Sequence, residues 1–237
     1  MRKKLGKAPA RLVCEGSQRE AAKNGCILFF HGLGASKDAQ VKELEDLARH
    51  GFLVVGLDNV GHGERRYGDF DKRFSGSSPS VERELLTAVL ETAREVPEII
   101  DELTRQRLVH NGKIGIAGIS MGGYIAYTAV TMEPRLRVAV SILGSPEWMI
   151  DRPESPHRHI ESFSKITLLS LNAGRDQAVP PRFARGFHRR LEQRYPDYHE
   201  RFNYLEYARS GHFMEQDEWD DCWSTAIRWF EKRLPQV

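Results

Sequence analysis

The feature that most constrains this chain is an apolar run, Lys113-Ile114-Gly115-Ile116-Ala117, that drives straight into Gly118-Ile119-Ser120-Met121-Gly122-Gly123. A helix-like stretch, Tyr124 to Val130, follows at once. Strand, sharp glycine-flanked turn and helix form the context in which a serine hydroxyl stands clear of the backbone. Residues two positions to either side must lack bulk, because strand and helix approach closely there. The helix N-terminus offers unpaired N–H groups where negative charge would develop. A bare G-x-S-x-G arises by chance in roughly one chain in ten of this length. The competing reading, Ser120 as an ordinary helix cap, is therefore weighed down chiefly by the flanking strand and helix.

Two further residues complete a catalytic constellation in chain order. Asp176 follows the apolar run Ile166 to Leu171, in Asn172-Ala173-Gly174-Arg175-Asp176-Gln177-Ala178-Val179-Pro180. His212 follows the run Phe202 to Tyr207, in Ser210-Gly211-His212-Phe213, ahead of a terminal helix. Both stand just past strand ends, where ligands meet open α/β sheets. A serine, an acid and a histidine in that order suit nucleophilic acyl transfer, with His212 as base and Asp176 orienting it.

With these pieces in place the chain resembles an α/β-hydrolase, similar to the compact esterases related to the prolyl oligopeptidase and dienelactone hydrolase groups. The resemblance rests on Phe29-Phe30-His31-Gly32-Leu33-Gly34, Asp58-Asn59-Val60-Gly61-His62-Gly63, Gly118 to Gly123, Gly174 to Pro180 and Gly211-His212. It implies a mostly parallel twisted sheet with helices on both faces and a minimal lid. It also implies an oxyanion hole built from the backbone N–H groups of Leu33, after His31-Gly32, and Met121, after the nucleophile. Dienelactone hydrolases use a cysteine nucleophile, so Ser120 does not carry that activity over. Prolyl oligopeptidases carry a large β-propeller, for which the 25 residues before Cys26 leave no room.

The 237 residues suit one domain, residues 1–237, with ample length for a core. Charged residues make up 29% and nearly balance at net +2, which offers no case for nucleic acid. Arg185, Arg189 and Arg190 read as the solvated face of a helix. The three cysteines, Cys14, Cys26 and Cys222, have no metal-like spacing and read as reduced thiols in a cytoplasmic protein. The basic start Met1 to Lys7 lacks the apolar segment of a secretion signal. No run approaches the ~18 apolar residues of a membrane span. Neither a P-loop nor G-x-G-x-x-G is present, so no cofactor is implied.

Periodicity predicts strands over Arg11–Glu15 (a short antiparallel edge), Cys26–Phe30, Phe52–Leu57 and Val138–Leu143, besides those before the three site residues. Helices are expected over Asp38–Arg49, over one long stripe from Leu86 to Leu103 kinked at Pro97, and over Arg182–Gln193 and Trp219–Lys232. Residues 61–80 read as a long polar loop, functional or mobile. Its Arg65 and Arg66 read as solvated rim residues, with an acidic substrate as the other reading.

Eight other histidines compete with His212. His31 is expected to anchor its loop, and His62 to sit in a turn. His157 and His159 read as an exposed loop rather than a metal site. His50, His110, His188 and His199 read as surface residues. Asp151 and Glu147 rival Asp176 as the acid, and Asp58 comes too early in the chain. Trp148, Val179 and Phe213 are candidate substrate contacts.

The expected activity is hydrolysis of small-molecule carboxylic esters with short or compact acyl groups through an acyl-enzyme. A small peptidase, thioesterase or acyl-transferase would use the same triad. A non-catalytic binding protein on the same fold is the alternative of another class. Monomer and homodimer both stay open.

Overall fold

The computed structural model describes residues 1–76, 79–110 and 112–236. The strands are β1 (Arg2–Leu5), β2 (Ala8–Val13), β3 (Cys26–Phe30), β4 (Leu53–Leu57), β5 (Ile114–Ile119), β6 (Val138–Ile142), β7 (Thr167–Ala173) and β8 (Phe202–Tyr207). The helices are α1 (Gln18–Asn24), α2 (Val41–Arg49), α3 (Phe70–Arg73), α4 (Pro79–Arg105), α5 (Met121–Met132), α6 (Arg182–Arg194), α7 (Tyr198–Arg201) and α8 (Gln216–Arg233).

All eight strands join one sheet in the order β1-β2-β4-β3-β5-β6-β7-β8. β1 pairs antiparallel with β2, and β2 antiparallel with β4. From β4 to β8 every pairing is parallel. β3, β4, β5 and β6 are buried at every position, because helices cover both faces. Alternate residues feed opposite faces. Cys26, Leu28 and Phe30 join one apolar cluster with α4 and α5, while Ile27 and Phe29 join another with α2 and α8.

The sheet edge differs from the sequence expectation. The edge strand is β1, and the strand expected there lies one position further in, as β2. Gly6, at φ 55°, makes the reversal between them, and β1 buries only Leu5, with Arg2 and Lys4 exposed and Lys3 half-buried against Gln106. α1 was not anticipated either. Ser17 caps it, accepting a hydrogen bond from the Glu20 amide at 3.2 Å. α4 runs unbroken through Pro97, as one helix rather than two.

Residues 61–80 are less loop-like than their composition suggests, although Ser77 and Ser78 lie outside the described residues. A 3-10 turn (Gly63–Arg65) and α3 break the segment, and α4 already begins at Pro79. Arg65 is not a rim cation: it forks onto Glu95 at 2.9 and 2.7 Å and donates to the Asp58 carbonyl. Arg66 lies over the Phe70 ring.

His188 is a further correction. It is buried, not on the surface, and its Nε2 meets Ser170 Oγ at 2.7 Å while Nδ1 meets the Tyr198 hydroxyl at 2.9 Å. Burial pushes its pKa down to about 3.

Candidate active site

Ser120 terminates β5 at φ 56°, ψ −115°, one of three non-glycine residues with positive φ among those described. Such a conformation costs on the order of 1–3 kcal/mol and persists only where its surroundings over-determine it. Here the Ser120 amide donates to Ile142 O on β6 at 2.8 Å, and Ser120 O accepts from the Gly123 and Tyr124 amides as α5 begins. The flanking glycines are sterically required. A Cβ on Gly122 would stand 2.0 Å from Phe30 O, and one on Gly123 2.8 Å from the Gly144 Cα.

Three of the residues picked out in sequence meet at the carboxyl ends of β5, β7 and β8. Ser120 Oγ lies 2.9 Å from His212 Nε2, and His212 Nδ1 lies 2.7 Å from Asp176 Oδ2. The other Asp176 oxygen accepts from the Ala178 and Val179 amides at 2.9 and 2.8 Å, so this buried carboxylate is fully partnered. The acid and histidine loops are stitched together, with the Arg175 amide donating to Ser210 O at 2.9 Å. Ser210 Oγ in turn donates to Glu218 and accepts from the Glu215 amide, tying the histidine loop to the start of α8.

The rival acid is elsewhere. Asp151 is exposed and paired with Arg158, and His212 has no bond to it. Trp148 does not reach the cavity beside Ser120. It is buried in the apolar cluster on the α4–α5 side, because its amide and the Pro146 carbonyl are both held by Ser155 Oγ, which draws the segment inward. Val179 and Phe213 do line the cavity, as do Leu33 and Met121. Neither the Leu33 nor the Met121 amide donates to any acceptor among the described residues. Both are therefore free to point at developing charge.

The loop that carries Leu33 is fixed by a buried polar cluster that the sequence did not signal. Lys37 and Asp58 are buried side by side. Asp58 accepts from Lys37 N at 2.8 Å, from Lys37 Nζ at 2.9 Å and from Glu64 N at 2.9 Å. Lys37 Nζ also reaches Glu64 at 2.6 Å. Burial alone would lower the Lys37 pKa, but the Glu64 and Asp58 carboxylates reverse this and raise it. Gly63 sits at φ 57° against this cluster, where a Cβ would fall 2.1 Å from the Asp58 carboxylate. His31 accepts the Asn59 amide at 3.1 Å on Nε2, and Asn59 Nδ2 donates to His31 O at 2.9 Å. Burial pushes the His31 pKa down to about 4. His62 is buried too, edge-on to Phe70.

The cavity holds about 540 Å³. Its lining also includes Gln40, Leu85, Tyr124, Leu143, Met214 and Trp219, which sequence patterns had shown only as helix faces, a strand end or loop positions. His157 and His159 form no metal cluster: among the described residues no group of three or more His, Cys, Asp and Glu is placed to hold an ion. No described helix is long and apolar enough to cross a membrane.

A parallel sheet with a serine on a strained strand-to-helix turn defines the α/β-hydrolase class. Residues 21–172 match the family model Hydrolase_4, described as serine aminopeptidase, S33, and the chain belongs to that family. It is a hydrolase enzyme of esterase-like kind. The chain is 24% identical over 240 residues to the Bacillus subtilis (strain 168) protein named "Putative esterase YitV", covering 88% of this chain and 89% of that one. Its fold is that of TT1662 from Thermus thermophilus, with a TM-score of 0.78, 22% identity and coverage of 98% and 97%. It also superimposes on Pyrococcus horikoshii acylaminoacyl peptidase, with a TM-score of 0.74 and 19% identity, over 99% of this chain but 41% of that chain.

Proposed function

We propose that this protein hydrolyses carboxylic esters through an acyl-enzyme on Ser120, acting as a single domain in the cytoplasm. The observation that carries the reading is the unbroken relay from Asp176 to His212 to Ser120, at 2.7 and 2.9 Å. Ser120 Oγ attacks the ester carbonyl carbon while His212 Nε2 takes its proton. The oxyanion is met by the Leu33 and Met121 amides, each donor of this kind being worth about 3–4 kcal/mol in the transition state. As the intermediate collapses, His212 returns the proton to the alkoxide and the alcohol leaves. Water, deprotonated by His212, then attacks the acyl-enzyme and releases the acid. Asp176, held by two amides, keeps the imidazole in one tautomer and stabilises its cation.

A peptidase reading comes from the family's description as a serine aminopeptidase. It has less support, because an aminopeptidase must seat a free ammonium and no carboxylate lines the cavity. Short or compact acyl groups are favoured, since Trp148 is withdrawn into the core and, of the segment after β6, Leu143 alone lines the cavity. The three described cysteines are free, in keeping with the cytoplasm.

The test is labelling by a fluorophosphonate together with turnover of p-nitrophenyl butyrate. Wild type is expected to do both and Ser120→Ala neither. Near-normal turnover by Ser120→Ala would overturn the assignment.

A further inference from the structure

The most exposed large hydrophobic side chain among the described residues stands next to His212. Phe213 is 95% exposed, and it lines the cavity at Ser120. Its ring lies edge-on to the His212 imidazole, with 5.9 Å between centroids and 83° between planes. A single apolar residue in solvent would need no explanation. Phe213 is not single: Met214 and Trp219, both half-buried, line the same cavity. Trp219 is fixed in the first turn of α8, where its amide donates to Glu215 O at 2.8 Å and its ring stacks on Trp223. The segment after His212 thus builds an apolar wall whose outermost ring is left open to solvent.

The chemistry fixes which arm of an ester meets this wall. In the proposed mechanism His212 Nε2 takes the Ser120 proton across 2.9 Å and hands it to the departing alkoxide. That transfer needs the ester oxygen within about 3 Å of Nε2. Whatever group the oxygen carries therefore starts beside the imidazole, and Phe213 is the cavity side chain whose ring meets the imidazole. The acyl arm leaves the carbonyl carbon in another direction. It is left the side lined by Leu85 and Tyr124, which pack with the opposite apolar cluster from Met214 and Trp219.

We infer that Phe213 is the specificity-determining residue for the alcohol portion of the substrate, and that this portion is a bulky apolar group of about benzyl size rather than a small alcohol. This deepens the esterase reading and rests on it. In acylation the bond from Ser120 Oγ to the carbonyl carbon forms and the bond from that carbon to the ester oxygen breaks. The proton passes from Oγ through His212 Nε2 to the ester oxygen. Until the alcohol departs, its apolar group covers the Phe213 ring, and both surfaces are removed from water. The acyl-enzyme no longer holds that group, so deacylation does not depend on Phe213.

The experiment compares two series of esters in wild type, Phe213→Ala and Phe213→Tyr. In one the acyl group is butyryl throughout and the alcohol is methyl or benzyl. In the other the alcohol is methyl throughout and the acyl group is acetyl or phenylacetyl. Phe213→Ala is expected to lower the benzyl-to-methyl ratio of kcat/KM about 10-fold and to leave the phenylacetyl-to-acetyl ratio where it is. The loss should fall on KM, because the ring is covered in ground state and transition state alike. Phe213→Tyr, which keeps the ring, should keep the ratio. The melting temperature of Phe213→Ala should not move, since so exposed a ring has little packing to lose. An unmoved benzyl-to-methyl ratio, a loss in the acyl series, a ratio lost equally in Phe213→Tyr or a lowered melting temperature overturns the proposal. So does a wild-type dimer that Phe213→Ala dissolves, which would give the ring to a second copy of the chain. Ser120→Ala run alongside separates the two levels. Turnover surviving in it defeats the esterase reading, whereas an unmoved Phe213 ratio with Ser120→Ala dead defeats only the recognition proposal.

Discussion

Gly118 and Gly122 pass so closely that a Cβ on Gly118 would stand 2.2 Å from the carbonyl carbon and oxygen of Gly122. The contact is backbone against backbone, at the point where β5 turns into α5, so no side-chain rotation relieves it. Gly118→Ala is therefore expected to destabilise the fold by about 3 kcal/mol or more, at the upper end of overpacking costs. Gly186, inside α6 with nothing within 4 Å of its would-be Cβ, is the contrast. Gly186→Ala should stabilise by about 0.5–1 kcal/mol. Denaturant midpoints of the two variants check the pair, and similar midpoints would refute the steric argument.

The proposed triad predicts an order of losses. His212→Ala should cost at least as much activity as Asp176→Asn, each on the order of 10⁴-fold. Asp151→Asn should be near neutral, since Asp151 is exposed and bonded to Arg158. Steady-state kinetics on p-nitrophenyl butyrate decides. A large loss at Asp151 with a mild one at Asp176 would move the acid to the earlier loop.

Removing one member of the Lys37–Asp58 pair leaves the other buried without its charge partner. Lys37→Met is expected to cost about 3–5 kcal/mol of stability. Because Lys37 closes the loop that carries Leu33, kcat should fall more than KM rises. Thermal melts and Michaelis parameters test both halves, and an unchanged melting temperature would show that the cluster is energetically idle.

The buried histidines set an acid limit. His188 stays neutral in the fold, its pKa pushed down by burial to about 3, against an ordinary value near ~6.5 in the unfolded chain. Between those values the unfolded state binds more protons, so stability falls as pH falls through that window, by at most about 1.4 kcal/mol per pH unit for this group. His31, pushed down to about 4 by burial, acts in the same direction. The melting temperature should decline from pH 6.5 to 4.5, and His188→Gln should flatten the slope. An equally steep decline in His188→Gln would place the acid sensitivity elsewhere.

Acyl length gives a further prediction. With Trp148 packed into the core, the cavity of about 540 Å³ has to take both arms of the ester. Among p-nitrophenyl acetate, butyrate, octanoate and palmitate, kcat/KM should peak at acetate or butyrate. A rise continuing through palmitate would point to a long groove instead.

What the sequence determined by itself was whatever local physics controls. The run into Gly118-Ile119-Ser120-Met121-Gly122-Gly123 specifies strand, turn and helix within a few residues, and that is what is found at β5 and α5. The continuous apolar strands announced a sheet covered on both faces, and the order of Ser120, Asp176 and His212 was visible as spacing alone. Tertiary structure decided everything that depends on distant neighbours. His188 looked like one more polar residue on a basic helix, until Ser170 and Tyr198 closed over it. Trp148 looked like a substrate contact, but Ser155 draws its segment into the core. Lys37 and Gln40 carry no local signature, and Asp58 stood out only as part of a turn motif, because burial and pairing are properties of the assembled fold rather than of a window of chain. The same reason separates Asp176 from Asp151. Both follow strands, and only the stitching of the loops after β7 and β8 brings one of them within 2.7 Å of His212.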